Sequence, residues 1–160
     1  VGEAPRLLAG AAWGAALLTM VTAAVTAKSG ASLACSTWPD CNGAWLPALD
    51  DPLVRVHFFH RALAAVTAVL TVGLLWLAWR QGDRLVRRFL LAVPVLVGVQ
   101  VIWGARVILW HVPIWTAVVH QGTGVALFLL LSCLLWLLRA APKPTDEVSD
   151  VRLQGAGTPL

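Results

Sequence analysis

The chain has 160 residues, of which 59% are hydrophobic and 12% are charged, and its formal net charge is +4 at pH 7. Soluble domains average roughly 25% charged residues, so this composition excludes a water-exposed globular domain and indicates one integral membrane domain. The excess of cations flanks apolar segments and does not cover one face of a soluble module. A nucleic-acid-binding function is therefore not expected.

Four apolar runs are long enough to cross a membrane, which takes roughly 20 helical residues. Backbone groups in hydrocarbon must bond within their own segment, and the alternation of a β-barrel is absent, so each run predicts a helix. The predicted spans are Leu7 to Ala27, about Val56 to Trp79, about Phe89 to Leu109 and about Ile114 to Leu138. We expect an all-α, four-helix membrane bundle over residues 1–140 and a polar, disordered tail over residues 141–160.

The first run also has features of a signal peptide, because Arg6 precedes it and the small residues of VTAKSGA end it. Its length and the three spans that follow favour a retained helix. Gly10 and Gly14 form a small-xxx-small pair, which allows close contact with another helix; alternatively, they reflect only that glycines are common in such helices.

Positively charged residues mark one end of the predicted helices. The segment WRQGDRLVRR, between the second and third spans, holds four arginines, and further cations precede the first span and follow the fourth. The positive-inside rule predicts both termini in the cytoplasm and the loop before the second span outside. The chain is therefore expected in the plasma (inner) membrane.

The predicted outer loop contains LACSTWPDCNGAWLP, in which five residues separate Cys35 from Cys41. Disulfides persist on the oxidising side of a membrane, and a turn at WPD predicts that the pair lies within bridging distance. The spacing is compatible with a structural disulfide, with a redox-active dithiol and with two free thiols. Two cysteines without nearby histidines make only half of a tetrahedral zinc site.

Histidines in the second and fourth runs are candidate metal ligands. His60, about five residues into its helix, and His120, about six past Pro113, are expected at a depth on the order of 7–10 Å. Two histidines at matched depth in a helix bundle are suited to hold one haem iron. Alternatively, each hydrogen-bonds only a neighbouring helix. Arg61 and Arg106, near the outer helix ends, are expected to bind the porphyrin propionates.

The motifs GASLACSTWPDCNGAWLP, HFFHR, VQVIWGARVI and VVHQGTGVAL together resemble the heme A synthase family. The resemblance covers all four predicted helices. Members usually have two tandem four-helix bundles, and this chain is similar to one of them. The resemblance implies a haem between His60 and His120 and a disulfide between Cys35 and Cys41. It also implies oxidation of the C8 methyl group of heme O to a formyl group, which gives heme A.

One position departs from the family pattern. In the catalytic half of typical members a glutamate stands three residues before the helix-two histidine, and here that position is His57. HFFHR therefore looks more like the half that carries heme b. Three hypotheses stay open: an oxidising enzyme in which His57 replaces the glutamate, a non-catalytic b-type cytochrome subunit, and a haem-handling oxidase assembly factor. The expected ligands are haem (heme b, or heme O and heme A) and membrane lipid, with a homo-oligomer or membrane-complex partner.

Overall fold

The computed structural model describes residues 2–79 and 84–140. Within these ranges the chain forms no strand, one short 3₁₀ helix (Ala31–Leu33) and four α-helices: α1 (Glu3–Lys28), α2 (Pro52–Ala78), α3 (Arg84–Leu109) and α4 (Ile114–Ala140). All four are long and apolar enough to cross a membrane. The prediction of an all-α membrane bundle is confirmed, and the chain is an integral membrane protein. The predicted tail at 141–160 and the arginine at position 80 lie outside the described residues.

The helices extend beyond the apolar runs that predict them. α2 begins at Pro52, about one turn before Val56, because the Asp51 side chain caps it by accepting a hydrogen bond from Leu53 N at 2.8 Å. Such caps and a proline in the first turn favour helix initiation. The apolar run marks only the part in hydrocarbon, whereas the helix continues into the interfacial region.

The earlier start of α2 changes the depth expected for its histidine. His60 lies eight residues after Pro52, about 12 Å along the helix at 1.5 Å per residue. His120 lies six residues after Ile114, about 9 Å along α4. Counted from the helix starts, the positions of the two histidines along their helices differ by two residues, or about 3 Å.

α3 and α4 form a tight antiparallel hairpin. His111 and Val112 both adopt a left-handed conformation with φ of 59°. This turn lets Val112 N donate to Val107 O at 2.7 Å, which satisfies a carbonyl at the end of α3. His111 is exposed in this turn and lies apart from the bundle interior.

The helices follow chain order around the bundle. α1 and α3 each pack against both α2 and α4, so α2 and α4 occupy opposite corners. The most extensive contact joins α1 to α2, and the thinnest side joins α2 to α3. His60 and His120 therefore project from diagonally related helices.

The apolar core occupies one half of the bundle, where α1 begins and α4 ends. Its buried members are Ala9, Ala16, Leu74, Ala78, Val86, Leu90, Val93, Leu127, Leu131, Leu134, Leu135 and Leu138. At the other end, the buried side chains include Thr26, His57, Thr116 and the two cysteines. The leucine-rich packing does not continue to the level of His60 and His120, and this end of the bundle carries the candidate site.

Candidate functional site

His60 is oriented by α1. Its Nδ1 lies 3.2 Å from the carbonyl oxygen of Thr19 and 3.3 Å from Thr22 Oγ1. A carbonyl oxygen accepts only, so this arrangement favours the tautomer in which Nδ1–H donates and Nε2 keeps the lone pair. A backbone carbonyl on the second nitrogen is the usual partner of a metal-ligating histidine. Sequence analysis missed both threonines, although their spacing of three residues places them on one face of α1.

His120 rests against a glycine of α3. A Cβ added at Gly104 would lie 3.2 Å from His120 Cε1 and 3.7 Å from its Nε2, so only glycine accommodates the ring without displacement. Within the described ranges, His120 Nδ1 is a buried polar atom without a hydrogen-bond partner. Leaving such an atom unsatisfied costs roughly 1–3 kcal/mol. A site that tolerates this cost is suited to a ligand that the protein alone does not supply.

A glutamine fixes the turn of α4 that carries His120. Gln100 Nε2 donates to His120 O at 2.9 Å and to Thr123 Oγ1 at 2.8 Å. Its amide also lies against Gly124, where a Cβ would be 3.1 Å from Nε2. α3 thus contributes Gly104, which lies against the ring of His120, and the Gln100 amide, which binds the backbone of α4. The sequence alone did not indicate a role for Gly104 or Gly124.

His60 and His120 lie on helices at opposite corners of the bundle, and both are partly buried at the end that the leucine core does not fill. Within the described part of the chain, no group of three or more His, Cys, Asp or Glu side chains is arranged to hold a metal ion. The two imidazoles are therefore candidates to hold a haem iron only as a pair, a ligand set of the kind that histidine-bound haem uses.

Arg61 binds the cysteine loop. It donates from Nη1 to the carbonyl oxygens of Thr37 at 2.9 Å and Asp40 at 2.6 Å, and from Nη2 to Cys35 O at 2.8 Å. Its Nε donates to His57 Nε2 at 3.2 Å. Four of the five guanidinium N–H groups are thereby used within the protein.

His57 is only 4% exposed, and donors face both of its nitrogens. Cys35 N lies 3.2 Å from Nδ1, and Arg61 Nε lies 3.2 Å from Nε2. A neutral imidazole has one acceptor nitrogen and an imidazolium has none, so His57 accepts from one of these donors at a time. His57 therefore contacts the cysteine loop and Arg61, and its ring nitrogens are directed at protein groups.

Arg106 lies in an aromatic cluster at the end of α3. Its guanidinium carbon is 4.9 Å from the ring centroid of Trp103 and 5.3 Å from that of Trp110. Trp115 of α4 packs against both indoles at 5.7 and 5.6 Å. Cation–π contacts of this kind leave the N–H donors at the guanidinium edge. Arg106 is thus better disposed than Arg61 to bind an added anion.

Cys35 and Cys41 are a close pair, with Cα atoms 4.6 Å apart, so the predicted bridging distance is confirmed. Asn42, in a left-handed conformation, stabilises the loop, since its Oδ1 accepts from Ser36 N at 2.9 Å and its Nδ2 donates to Ala34 O at 2.8 Å. The loop is thus bound both by its own asparagine and by side chains of α2.

Comparison with known proteins identifies similar sequences. Residues 2–132 match the family model described as Cytochrome oxidase assembly protein. The chain is 40% identical over 136 residues to protoheme IX farnesyltransferase from Halobacterium salinarum, covering 84% of this chain and 29% of that protein. It is 35% identical over 141 residues to heme A synthase from Symbiobacterium thermophilum, covering 86% of this chain and 46% of the relative. For heme A synthase from Rhodospirillum centenum the identity is 36% over 151 residues, covering 83% and 40%. The chain spans less than half the length of each of these relatives.

Proposed function

The chain belongs to the heme A synthase family of cytochrome oxidase assembly proteins, and on that premise we propose that it binds a haem between His60 and His120 and serves in heme A biosynthesis. The observation that carries the proposal is a pair of imidazoles on diagonal helices, at the end of the bundle that the leucine core does not fill. The Thr19 carbonyl favours one tautomer of His60, and the ring of His120 lies against Gly104.

The residues at the site fit a haem, which His60 and His120 would hold. Thr19 holds His60 so that Nε2 carries the lone pair, and Gly104 and Gln100 position the ring and backbone of His120. The unpartnered His120 Nδ1 is consistent with a site completed by a ligand. A haem held by two histidines would supply reversible one-electron chemistry.

We propose that Arg106 binds a propionate of this haem. Its guanidinium lies near the outer end of α3 between two indoles, and Arg–carboxylate hydrogen bonds are strong in such a partly apolar setting. Arg61 also carries the charge for this role, but four of its N–H groups bind His57 and the cysteine loop. Its propionate role therefore requires an exchange of these partners, and we assign the first propionate contact to Arg106.

The contacts of His57 favour a haem that transfers electrons. Both ring nitrogens are directed at donors of the protein, one on the cysteine loop and one on Arg61. A general base needs a nitrogen within reach of the proton that it removes. We therefore place His57 with the cysteine loop and propose a b-type haem in this bundle.

Oxidation of the C8 methyl group of heme O to a formyl group is the second candidate function. The two relatives named heme A synthase, at 35% and 36% identity, favour it. The relative named protoheme IX farnesyltransferase supports a farnesylated haem as the ligand. In this second function His57 takes the position of the family glutamate, and release from Arg61 or Cys35 frees one nitrogen.

We propose that Cys35 and Cys41 form a disulfide on the outer side of the plasma membrane and that the helix ends rich in arginine face the cytoplasm. The redox role of the pair and the predicted homo-oligomer or membrane-complex partner stay predictions. The assembly-factor hypothesis is included in this proposal, because haem binding is common to all three functions.

The proposal is tested by the cofactor content of the purified protein. After expression with ample haem and heme O, we expect a bis-histidine absorption spectrum and, by pyridine hemochrome analysis, heme b. Replacement of His60 or His120 by alanine removes the spectrum. The matched control is His111→Ala, which changes an exposed histidine in the α3–α4 turn and leaves the spectrum intact.

The same experiment separates the two functions. Heme A in the extract, lost in His57→Gln while haem loading persists, supports C8 oxidation over electron transfer alone. A colourless wild-type protein, or full haem loading in the double variant of His60 and His120, contradicts haem binding at this site.

A further inference from the structure

A cleft of about 520 Å³ opens between α1 and α4 at the end of the bundle opposite the histidines. The part of the cleft nearest the helix ends is lined by Arg6, from the first turn of α1, and Arg139, from the last turn of α4. Trp13, Gly10 and Gly14 line the part that continues into the membrane. The cleft lies far along the helices from His60 and His120, so it does not belong to the candidate haem site.

The floor of the cleft is formed by two glycines of α1. A Cβ at Gly14 would meet no heavy atom within 4 Å, and a Cβ at Gly10 would meet only Arg139 Nη2, at 4.0 Å. The small-xxx-small spacing allows close helix contact at this pair, but α4 stands away from Gly14. From Arg6 to Gly14 the open strip runs about 12 Å along α1.

Polar contacts hold the walls of the cleft in place. Arg6 Nε donates to Leu138 O at 2.9 Å, which places a cation at the C-terminal end of α4, where the helix dipole favours it. Trp13 Nε1 donates to Ser132 Oγ at 2.9 Å, so the indole joins α1 to α4. Two cations and no acidic side chain line this cleft among the described residues.

We propose that this cleft binds one anionic phospholipid, with its phosphate between Arg6 and Arg139 and an acyl chain along Gly10 and Gly14. Charge complementarity supports this occupant, because basic pockets between transmembrane helices at a membrane surface bind anionic headgroups. Guanidinium groups match phosphate oxygens in geometry and charge. The volume is in the range of pockets that hold small ligands, and an apolar strip below two cations has the polarity pattern of a phospholipid.

The test uses the full chain in phosphatidylcholine vesicles, at matched haem content, with brominated acyl chains as a contact quencher of tryptophan fluorescence. Brominated phosphatidylglycerol and brominated phosphatidylcholine are compared at equal mole fraction. We expect greater quenching by the anionic lipid, and we call the difference from phosphatidylcholine the excess quenching. This excess should fall in Trp13→Phe, because the substitution removes the tryptophan that reports on the cleft. Arg139→Gln and Gly14→Leu keep Trp13 and lose the excess, the first by removing charge and the second by filling the floor.

Arg55→Gln is the matched control, because it removes one exposed arginine at the other end of the bundle and retains the excess. Inorganic phosphate added to the wild type leaves the excess unchanged if a lipid is bound. The proposal is overturned by any of three results. These are equal quenching by the two lipids, an excess that persists in both Arg139→Gln and Gly14→Leu, and loss of the excess when inorganic phosphate is added. If Gly14→Leu does not fold by circular dichroism, Arg139→Gln decides alone.

Discussion

Replacement of Gly104 by leucine tests whether His120 must lie against α3 to bind haem. A Cβ alone would be 3.2 Å from His120 Cε1, already closer than ordinary van der Waals contact, and the branched end of leucine would overlap the ring. Overpacking of this kind costs about 1–3 kcal/mol. Gly98→Leu is the matched control in the same helix, since a Cβ at Gly98 meets no atom within 4 Å.

The difference between the two variants isolates the steric effect. Replacing a helical glycine by leucine gains up to about 1 kcal/mol of helix propensity at either site. The Gly104 variant should therefore be about 1–3 kcal/mol less stable than the Gly98 variant in thermal or denaturant unfolding. If displacement of the ring weakens haem binding by the same free energy, the affinity falls by about 5- to 150-fold.

The assay is titration of haem into detergent-solubilised apoprotein, followed by absorption. Gly98→Leu should bind like the wild type, and Gly104→Leu should bind more weakly and lose the bis-histidine spectrum. Equal haem affinity and equal spectra for the two variants would refute the reasoning, because the ring of His120 would then bind iron from a position that Gly104 does not control.

Three further predictions follow from contacts around the site. Arg61→Lys keeps the charge but loses the planar guanidinium that binds three carbonyl oxygens of the cysteine loop. After mild reduction of the cysteine pair, thiol labelling should therefore be faster than in the control Arg55→Lys. Equal labelling rates would show that Arg61 does not hold the loop in place. Gln100→Leu removes two hydrogen bonds, and unfolding should be easier by about 1–3 kcal/mol; an unchanged midpoint would show that these bonds contribute nothing. Asp51→Ala removes the cap of α2, which should cost about 1 kcal/mol, measured by the same unfolding assay, whereas Asp51→Asn should retain most of it.

Sequence patterns located the elements of the bundle but not all of their ends. Long apolar runs predicted the four spans, because crossing hydrocarbon requires them. The start of α2 required the Asp51 cap and Pro52, which lie outside the apolar run. The same limitation shifted the expected depth of His60 by about one turn.

The candidate site was predicted in part. His60 and His120 were identifiable because ionisable side chains are rare within apolar spans. The partners of His57 and Arg61 were not identifiable, since they are mostly backbone groups of the cysteine loop, and every residue of a loop offers such groups. Gly104 stands in the quoted motif VQVIWGARVI, but the motif did not indicate that this glycine lies against the ring of His120.

The sequence alone determined that this chain crosses a membrane four times as helices, because hydrophobicity over about 20 residues is a property of composition. Tertiary structure decided which side chains meet: Gly104 beneath His120, Arg61 on the cysteine loop, and an open strip beside Gly14. These contacts depend on helix rotation and spacing, which arise from packing between segments distant in the sequence. The leucine core fills one half of the bundle for the same reason, and His60 and His120 lie in the other half.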